Sequence, residues 1–391
     1  MISDWVKIDL NYIRPNSYFV FNIYSKDGEK ILEPRIPLTF DKIQNIYKKF
    51  GNYVYYDLND VEYTIPKKEM DIAYDVSRSI MDEISITDQL SKETYKEAEQ
   101  MTEVLVGILN KTDIKVINLL KELKSYEEYT YQHSVNVGIL SAVFAQKLDY
   151  LTIDELKHLT LGAFLHDIGK IKIEKEILNK KGKLNQLETI KIRRHPQLGY
   201  EMVKRLGKSH PIVQQTILFH HEKYNDKGYY GLPYENLPIY PKITSICDIF
   251  DALTTHRPYR NALNSAEALK SIVNSINLHF DYSFVSNFIN YMESILNNCQ
   301  SIYKINDICE LNSQELALIK ELGSKNLMRP KILVFCKFSR IGRKINAKFY
   351  KKPFSLDLQR DSSRKIAKII NNQQHINVIK ARLRERCILV E

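Results

Sequence analysis

The sequence predicts a mainly α protein: a helical bundle between a small N-terminal β-rich domain and a small basic C-terminal β-rich appendage. Three observations predict it. The middle of the chain repeats apolar residues at helical spacing, with little Pro or Gly to interrupt them. Residues 1–66 instead hold short β-branched and aromatic runs bounded by turn residues. The tail changes charge: residues 325–391 carry 18 Lys and Arg against 4 Asp and Glu, while the remainder carries 39 against 43. At 391 residues the chain exceeds the usual size of one folding unit. Its composition suggests four segments: 1–66, β-rich; 67–124, a helical connector; 125–310, a helical domain holding the chemistry; and 311–391, a basic α/β appendage.

In the first segment, residues 5–10, 18–23 and 53–56 have strand composition. Asp27-Gly28 signals a hairpin, because this pair accepts the positive φ of a tight turn. Thr39 caps a helix that begins at Phe40 and ends at Gly51. In the second segment Ile72, Val76, Ile80 and Ile84, then Met101, Leu105, Ile108 and Leu109, form apolar stripes on two or three long helices. Such stripes serve core packing or a contact with a second copy, so a homodimer is one expectation. The third segment opens with a helix from Tyr129 through Phe144. A second covers 156–163, with Asp154 and Glu155 favourably placed in its first turn and Gly169 read as the glycine that stops it. Pro196 starts another, followed by helices over 212–219 and from Pro241 to Leu253. A capped helix after Asn264, with Glu267 reaching back, and one over 282–296 complete the bundle. In the tail, 330–338 reads as a strand, 340–343 as a turn and 364–370 as a short helix.

Composition narrows the function classes. Apolar content of 44% and charged content of 27% are those of an ordinary globular protein. No apolar run approaches the roughly 18 residues of a membrane span, so no transmembrane segment is expected. Residues 1–7 lack the charged-then-apolar layout of a secretory signal. Cys247, Cys299, Cys309, Cys336 and Cys387 are widely spaced, without a CxxC pair. That points to a reducing, cytoplasmic setting and away from a thiolate metal site. The basic tail offers a surface for nucleic acid or an anionic surface, with a solvated lysine-rich face as the plainer reading.

The residues with chemistry stand at helix ends in the third segment. His166 and Asp167 are adjacent, about 100° apart on a helix, so they can face two cations with the carboxylate shared. A buried carboxylate there calls for a cation to offset it. Around them come His133, on or beside an apolar helix face; His195 before Pro196; His220-His221 followed by Glu222; and Asp248, with Asp251 three residues on. Singly, each has a structural reading. His133 suits a hydrogen-bonded core position, Asp251 a cap or a partner for Arg260, and Glu222 a supporting or solvent-facing role. Together, five imidazoles and two carboxylates are too many for one ordinary site. An N/O set without thiolate favours iron, manganese, zinc or nickel, and two metals about 3.5–4 Å apart stabilise an in-line displacement at phosphorus. His158, His210, His256, His279 and His375 have no evident partners.

The order His133, His166-Asp167-Ile168-Gly169-Lys170, His195-Pro196, His220-His221-Glu222 and Asp248 resembles the HD superfamily of metal-dependent phosphohydrolases. Two longer stretches are similar to its HD-GYP subgroup: His220-His221-Glu222-Lys223 through Gly228-Tyr229, and Asp248-Ile249-Phe250-Asp251-Ala252-Leu253-Thr254 through Arg257-Pro258-Tyr259-Arg260. The likeness covers roughly 125–300. It implies an HD-type bundle and a bimetallic phosphodiesterase that hydrolyses the bacterial second messenger cyclic di-GMP to pGpG, with GMP after a second cut. By position it implies that His133, His166, Asp167 and Asp248 hold one metal, and that His195, His220 and His221 hold the other with Asp167 bridging. Catalysis would fall to Asp167 and to Lys170, a point charge on the scissile phosphate. Arg257 and Arg260 would grip phosphate or guanine edges, and Tyr229 would line the substrate pocket. Relatives with a third metal carry Glu four residues before the first histidine. Tyr129 stands there, so two divalent metals are expected, iron or manganese before nickel or zinc. A diguanylate cyclase or another signalling protein is the partner class implied.

Two positions depart from the subgroup. Its Asp-Gly is Asn225-Asp226 here, and its Gly-Tyr-Pro is Gly228-Tyr229-Tyr230. Losing that glycine and proline alters loop conformation but touches no ligand. The expected effect is on substrate fit, loop motion or partner binding, with catalysis kept. The alternative is a catalytically weak or inactive cyclic di-GMP receptor that signals through its flanking domains; hydrolysis of another nucleotide is a third reading.

Overall fold

The computed structural model describes residues 5–19, 21–57, 65–111, 129–180, 182–255, 262–292, 301–323, 326–341, 344–386 and 388. The chain opens with β1 Trp5–Asp9, β2 Ile23–Tyr24, β3 Lys30–Leu32, α1 Phe40–Phe50 and β4 Tyr53–Asp57. Next come α2 Lys67–Thr87, α3 Lys92–Lys111, α4 Tyr129–Leu148, α5 Ile153–Phe164, α6 Lys175–Leu178, α7 Gln186–Ile192, α8 His195–Arg205, α9 Pro211–Phe219 and α10 Ile239–Thr254. The rest is α11 Ser265–Val273, α12 Tyr282–Met292, β5 Ile308–Leu311, β6 Glu315–Glu321, β7 Lys331–Ile341, β8 Lys344–Asp357, β9 Ile366–Ile369 and α13 Gln373–Glu385. Contacts divide the chain into two compact units. One comprises Glu62–Asn264 and Leu278–Phe280; the other comprises Met1–Val61, Ser265–Asn277 and Asp281–Glu391.

The first unit is helical, and α4 is its central rod. Val135, Val137, Ile139, Leu140, Ala142, Val143, Phe144 and Ala145 are all buried, so the helix is apolar around its circumference, as a helix surrounded by others must be. It packs against α5 and α10, and α2 and α3 lean on the same core. Local signals fix where the helices begin. Thr152 and Glu155 cap α5 reciprocally, and α8 and α9 each carry proline in the first turn, where its missing N–H costs nothing. Gly169 proves not to be a helix stop. α5 ends at Phe164 with Leu165 as its cap, and Gly169 lies within a 3-10 turn, Ile168–Lys172. A Cβ there would overlap the His195 carbonyl oxygen and lie 2.6 Å from the Gly199 nitrogen. The glycine is needed for close approach to α8, and thereby brings His195 toward Asp167.

The second unit holds two antiparallel sheets, ordered β1-β4-β2-β3 and β8-β7-β6-β5-β9. Gly28, at φ 91°, closes the β2–β3 hairpin. The strand expected over 18–23 is confined to Ile23–Tyr24. Phe19 and Phe21 are buried without strand pairing, with Phe21 stacked on Tyr56 at 4.1 Å. The helix expected over 364–370 is a strand: β9 pairs with β5 through Cys309↔Ile369, Glu310↔Lys368 and Leu311↔Ile366. An open sheet edge offers main-chain partners that outweigh a weak helical preference. The helix near this end is α13, unanticipated in the sequence, capped by Asn372 and seating Leu383 against Ile308, Leu318, Phe335 and Cys336. α11 and α12, expected to complete the bundle, group with the sheets. Asn274 accepts a hydrogen bond from the Ile369 N–H at 2.6 Å, and Lys270 pairs with Asp307 at 2.6 Å. Of the turn expected over 340–343, Arg340 and Ile341 belong to β7, and 342–343 lie outside the described residues. Among the described residues no helix is long and apolar enough to cross a membrane.

Candidate metal centre

Five elements of the helical unit deliver side chains to one place. α4 contributes His133, the turn after α5 contributes His166 and Asp167, and α8 begins at His195. His220 caps α9, with His221 following, and α10 contributes Asp248. His133, His166, Asp167, His195 and His220 are buried; His221 and Asp248 are half-buried.

The Asp167 carboxylate divides between two groups. Its Oδ1 lies 3.2 Å from His195 Nε2 and 3.9 Å from His220 Nε2. Its Oδ2 lies 3.3 Å from His166 Nε2 and 3.6 Å from His133 Nε2. Asp248 Oδ1 adds to the second group, 3.2 Å from His133 Nε2. Asp167, His195, His220 and His221 place ligand atoms within 4.8 Å of one another, as do His133, His166 and Asp167. Each group can hold a metal ion. His166 Nε2 and Asp167 Oδ1 are buried without a hydrogen-bond partner among the described residues, which is costly unless a cation takes them up.

Main-chain geometry aims the rings. His166 Nδ1 bonds the Ala163 carbonyl at 2.7 Å, His195 Nδ1 that of Ile192 at 2.8 Å, and His220 Nδ1 that of Ile217 at 2.8 Å. Each acceptor is three residues earlier, at a helix end; the Ala163 carbonyl also takes the His166 N–H at 3.5 Å, while the residue four past Ile192 is Pro196, which has no N–H to give. A carbonyl only accepts, so each Nδ1 carries the proton and each Nε2 turns a lone pair inward. His133 is held differently: its Nδ1 meets Asp251 Oδ2 at 2.8 Å, and Asn136 Nδ2 donates to Asp251 Oδ1 at 2.9 Å. Asp251, left open between capping and approaching the metals, thus braces a candidate ligand. Asn136 and the three carbonyls went unnoticed in the sequence; the i, i+3 spacing of His133 and Asn136 opposite Asp248 and Asp251 is the signal that points to Asn136.

Electrostatics follow the same division. Burial opposes charge on His133, but Asp167, Asp248 and Asp251 outweigh it and hold its pKa well above the ordinary range. Burial and the neighbouring rings push His220 well down and His221 to about 3. Burial would raise Asp167, yet His166, Lys170 and His133 keep it well below the usual carboxylate range. Lys170, half-buried, donates to Asp167 Oδ2. Tyr229 stands with its ring 4.5 Å from that of His221 and under the Arg193 guanidinium at 5.1 Å. Arg257 and Arg260 lie outside the described residues.

Asp154, His158 and His210 form a third cluster. The two histidines, without evident partners in the sequence, stack at 3.9 Å with planes 1° apart. Parallel rings keep their in-plane lone pairs in separate planes, and His210 Nδ1 already accepts the Ile212 N–H at 3.2 Å. His210 caps α9 and His158 stacks on it, an arrangement that does not converge lone pairs on one cation.

Residues 115–284 match the HD domain family. The chain is 34% identical over 217 residues to a cyclic di-GMP phosphodiesterase of Pseudomonas aeruginosa, covering 55% of this chain and 50% of that one. It is 31% identical over 189 residues to the cyclic di-GMP phosphodiesterase response regulator RpfG of Xanthomonas campestris, covering 46% and 49%. A 3'3'-cGAMP-specific phosphodiesterase of Vibrio cholerae is 36% identical over 144 residues, 36% of this chain and 33% of its own. The chain thus spans half or less of the length of each of these relatives. A solved HDG"Y"P protein, Bd1817 of Bdellovibrio bacteriovorus, aligns over 74% of this chain and all of its own at 19% identity and TM-score 0.47. The matched stretch, 115–284, contains every ligand candidate of the His/Asp cluster named above.

Proposed function

We propose that the chain is a metal-dependent phosphodiesterase that hydrolyses cyclic di-GMP to pGpG, with GMP after a second cut. The observation that carries this is the Asp167 carboxylate, one oxygen facing His195 and His220 and the other His133 and His166. The names of the relatives supply the substrate class. His133, His166, Asp167 and Asp248 would hold one divalent metal, and His195, His220, His221 and Asp167 the other, with iron or manganese first in order. When bound, such a pair acts as a Lewis acid on phosphate and lowers the pKa of water to the range where it is nucleophilic at neutral pH.

The chain's own residues do the rest. The Nδ1 anchors hold the rings of His133, His166, His195 and His220 without reorganisation. Lys170, beside Asp167, neutralises charge that builds on a phosphate oxygen. Tyr229 walls the substrate side, and Arg257 and Arg260 are assigned to the nucleotide on the resemblance alone. A 3'3'-cGAMP substrate is the second reading, favoured by the relative of that name.

The test is a product assay on anaerobically purified protein loaded with ferrous iron or manganese, given the two cyclic dinucleotides in parallel, with metal content measured. Linear pGpG from cyclic di-GMP is expected. Faster cleavage of the hybrid nucleotide would move the assignment to it, and saturable binding without turnover under every metal would leave a receptor.

A further inference from the structure

Resting on that reading of the site, we infer that Glu222 is a positioning residue. It holds the Tyr229 wall in place by accepting main-chain hydrogen bonds from the loop that carries it. Glu222 directly follows the His220-His221 pair and is 3% exposed. Its Oε1 accepts the Tyr230 N–H and its Oε2 the Leu232 N–H, both at 2.8 Å. On the other side of Tyr229, Gly228 lies so close that a Cβ would come within 2.6 Å of the Glu222 Cα and carboxylate. The backbone is therefore fixed immediately before and immediately after Tyr229, whose ring lies 4.5 Å from His221 and 6.2 Å from His195.

A buried carboxylate needs donors, and these two are both amides of one loop. The remainder of the loop is tied just as locally. Asp226 adopts φ 55°, and its Oδ1 accepts the Tyr234 N–H at 3.0 Å. Tyr224 and Asn225 donate to the carbonyls of His279 at 2.9 Å and Leu278 at 3.2 Å.

The two departures noted in the sequence fall on this clamp. A proline at 230 has no N–H to give Glu222 Oε1, and a glycine at 226 has no carboxylate for Tyr234. In this chain each replacement contributes a hydrogen bond, so the loop is held by bonds gathered on Glu222 and Asp226 where the subgroup pattern relies on ring and glycine geometry. Tyr229 is accordingly placed before substrate arrives, and the clamp acts on binding more than on turnover.

The experiment compares wild type, Glu222→Gln and Tyr230→Pro at matched metal content. It reads amide exchange at residues 230 and 232, then KM and kcat on cyclic di-GMP. Glu222→Gln keeps the shape but presents an amide N–H2 to one loop N–H. Exchange at the affected amide should quicken about tenfold or more, and KM should rise about tenfold, with a smaller change in kcat. Tyr230→Pro spares Glu222 and should reproduce the KM shift through loss of one donor. Unchanged exchange at both 230 and 232 and unchanged KM in Glu222→Gln would overturn the inference, as would kcat and KM falling together with lost metal. A wild type that protects both amides yet turns over no cyclic dinucleotide would keep the clamp and sink the enzymatic reading instead.

Discussion

The His/Asp cluster orients its imidazoles by two means: His166, His195 and His220 each through a main-chain carbonyl three residues back, and His133 through side chains. In one half, His195 and His220 hang from main-chain carbonyls three residues back, and Asp167 is the carboxylate within 4 Å of their Nε2 atoms. In the other, one helix brackets His133 from both sides. Asp251 takes its Nδ1 at 2.8 Å and Asp248 approaches its Nε2 at 3.2 Å. Burial and neighbouring rings keep His220 and His221 neutral, whereas three carboxylates overcome burial to favour charge on His133. One half is thus written mainly in where helices begin and end. The other shares that device at His166 but adds, at His133, side chains spaced three apart on α4 and α10, and is the half that a single polar substitution can retune.

Asp167 belongs to both halves, so its removal should have the largest effect. Asp167→Ala should cost at least about 10³-fold in turnover and deplete both metals, measured by product assay and elemental analysis on the same sample. Near-normal turnover in a metal-loaded variant would refute the shared carboxylate. Gly169→Ala comes next and should spare the His133 half. Its Cβ would collide with the His195 carbonyl, a contact with backbone that no rotamer relieves. Overpacking of this kind costs about 1–3 kcal/mol, read by urea unfolding of the metal-free protein. Metal loss should be confined to the His195 side; unchanged stability with both metals retained would show that the turn has room to move.

Gly169 also shows where sequence reasoning stopped. The ligand candidates were legible because chemistry resides in residue type and order: His133, His166-Asp167, His195, His220-His221 and Asp248 stand out against the apolar helices that carry them. Gly169 was visible as a glycine, but its cause lies on α8, more than twenty residues away in sequence. The Ala163, Ile192 and Ile217 carbonyls were invisible because every residue has one, and only their place at a helix end singles them out. β9 was misread for a related reason: Ile366 and Ile369 fit either a helix face or a strand, and the β5 edge decided between them. Long helices and a capped start such as Thr39 depend on neighbours in sequence, so they could be read directly.

The smallest expected change is also the sharpest test of the contrast between the halves. In Asp251→Asn the side chain keeps its shape but has one carbonyl oxygen where two oxygens served His133 and Asn136. One of the two donors must then face an N–H2 group. If His133 loses its acceptor, the neutral ring that a metal must bind is no longer held as the tautomer with its proton on Nδ1, and fewer molecules turn the Nε2 lone pair inward. Affinity for the metal on that side should fall about tenfold, the lower end of what supporting carboxylates contribute to metal sites. His195 and His220 keep their carbonyl anchors and should bind as before. Chelator competition resolves two affinities, so one shifted and one unshifted value is the expected outcome. Equal loss at both would mean that the halves are not separately oriented. A Glu at 251 should not rescue, since its extra methylene moves the carboxylate off the Nδ1 axis, whereas a variant of Asn136 that frees the second donor should partly restore the shifted affinity.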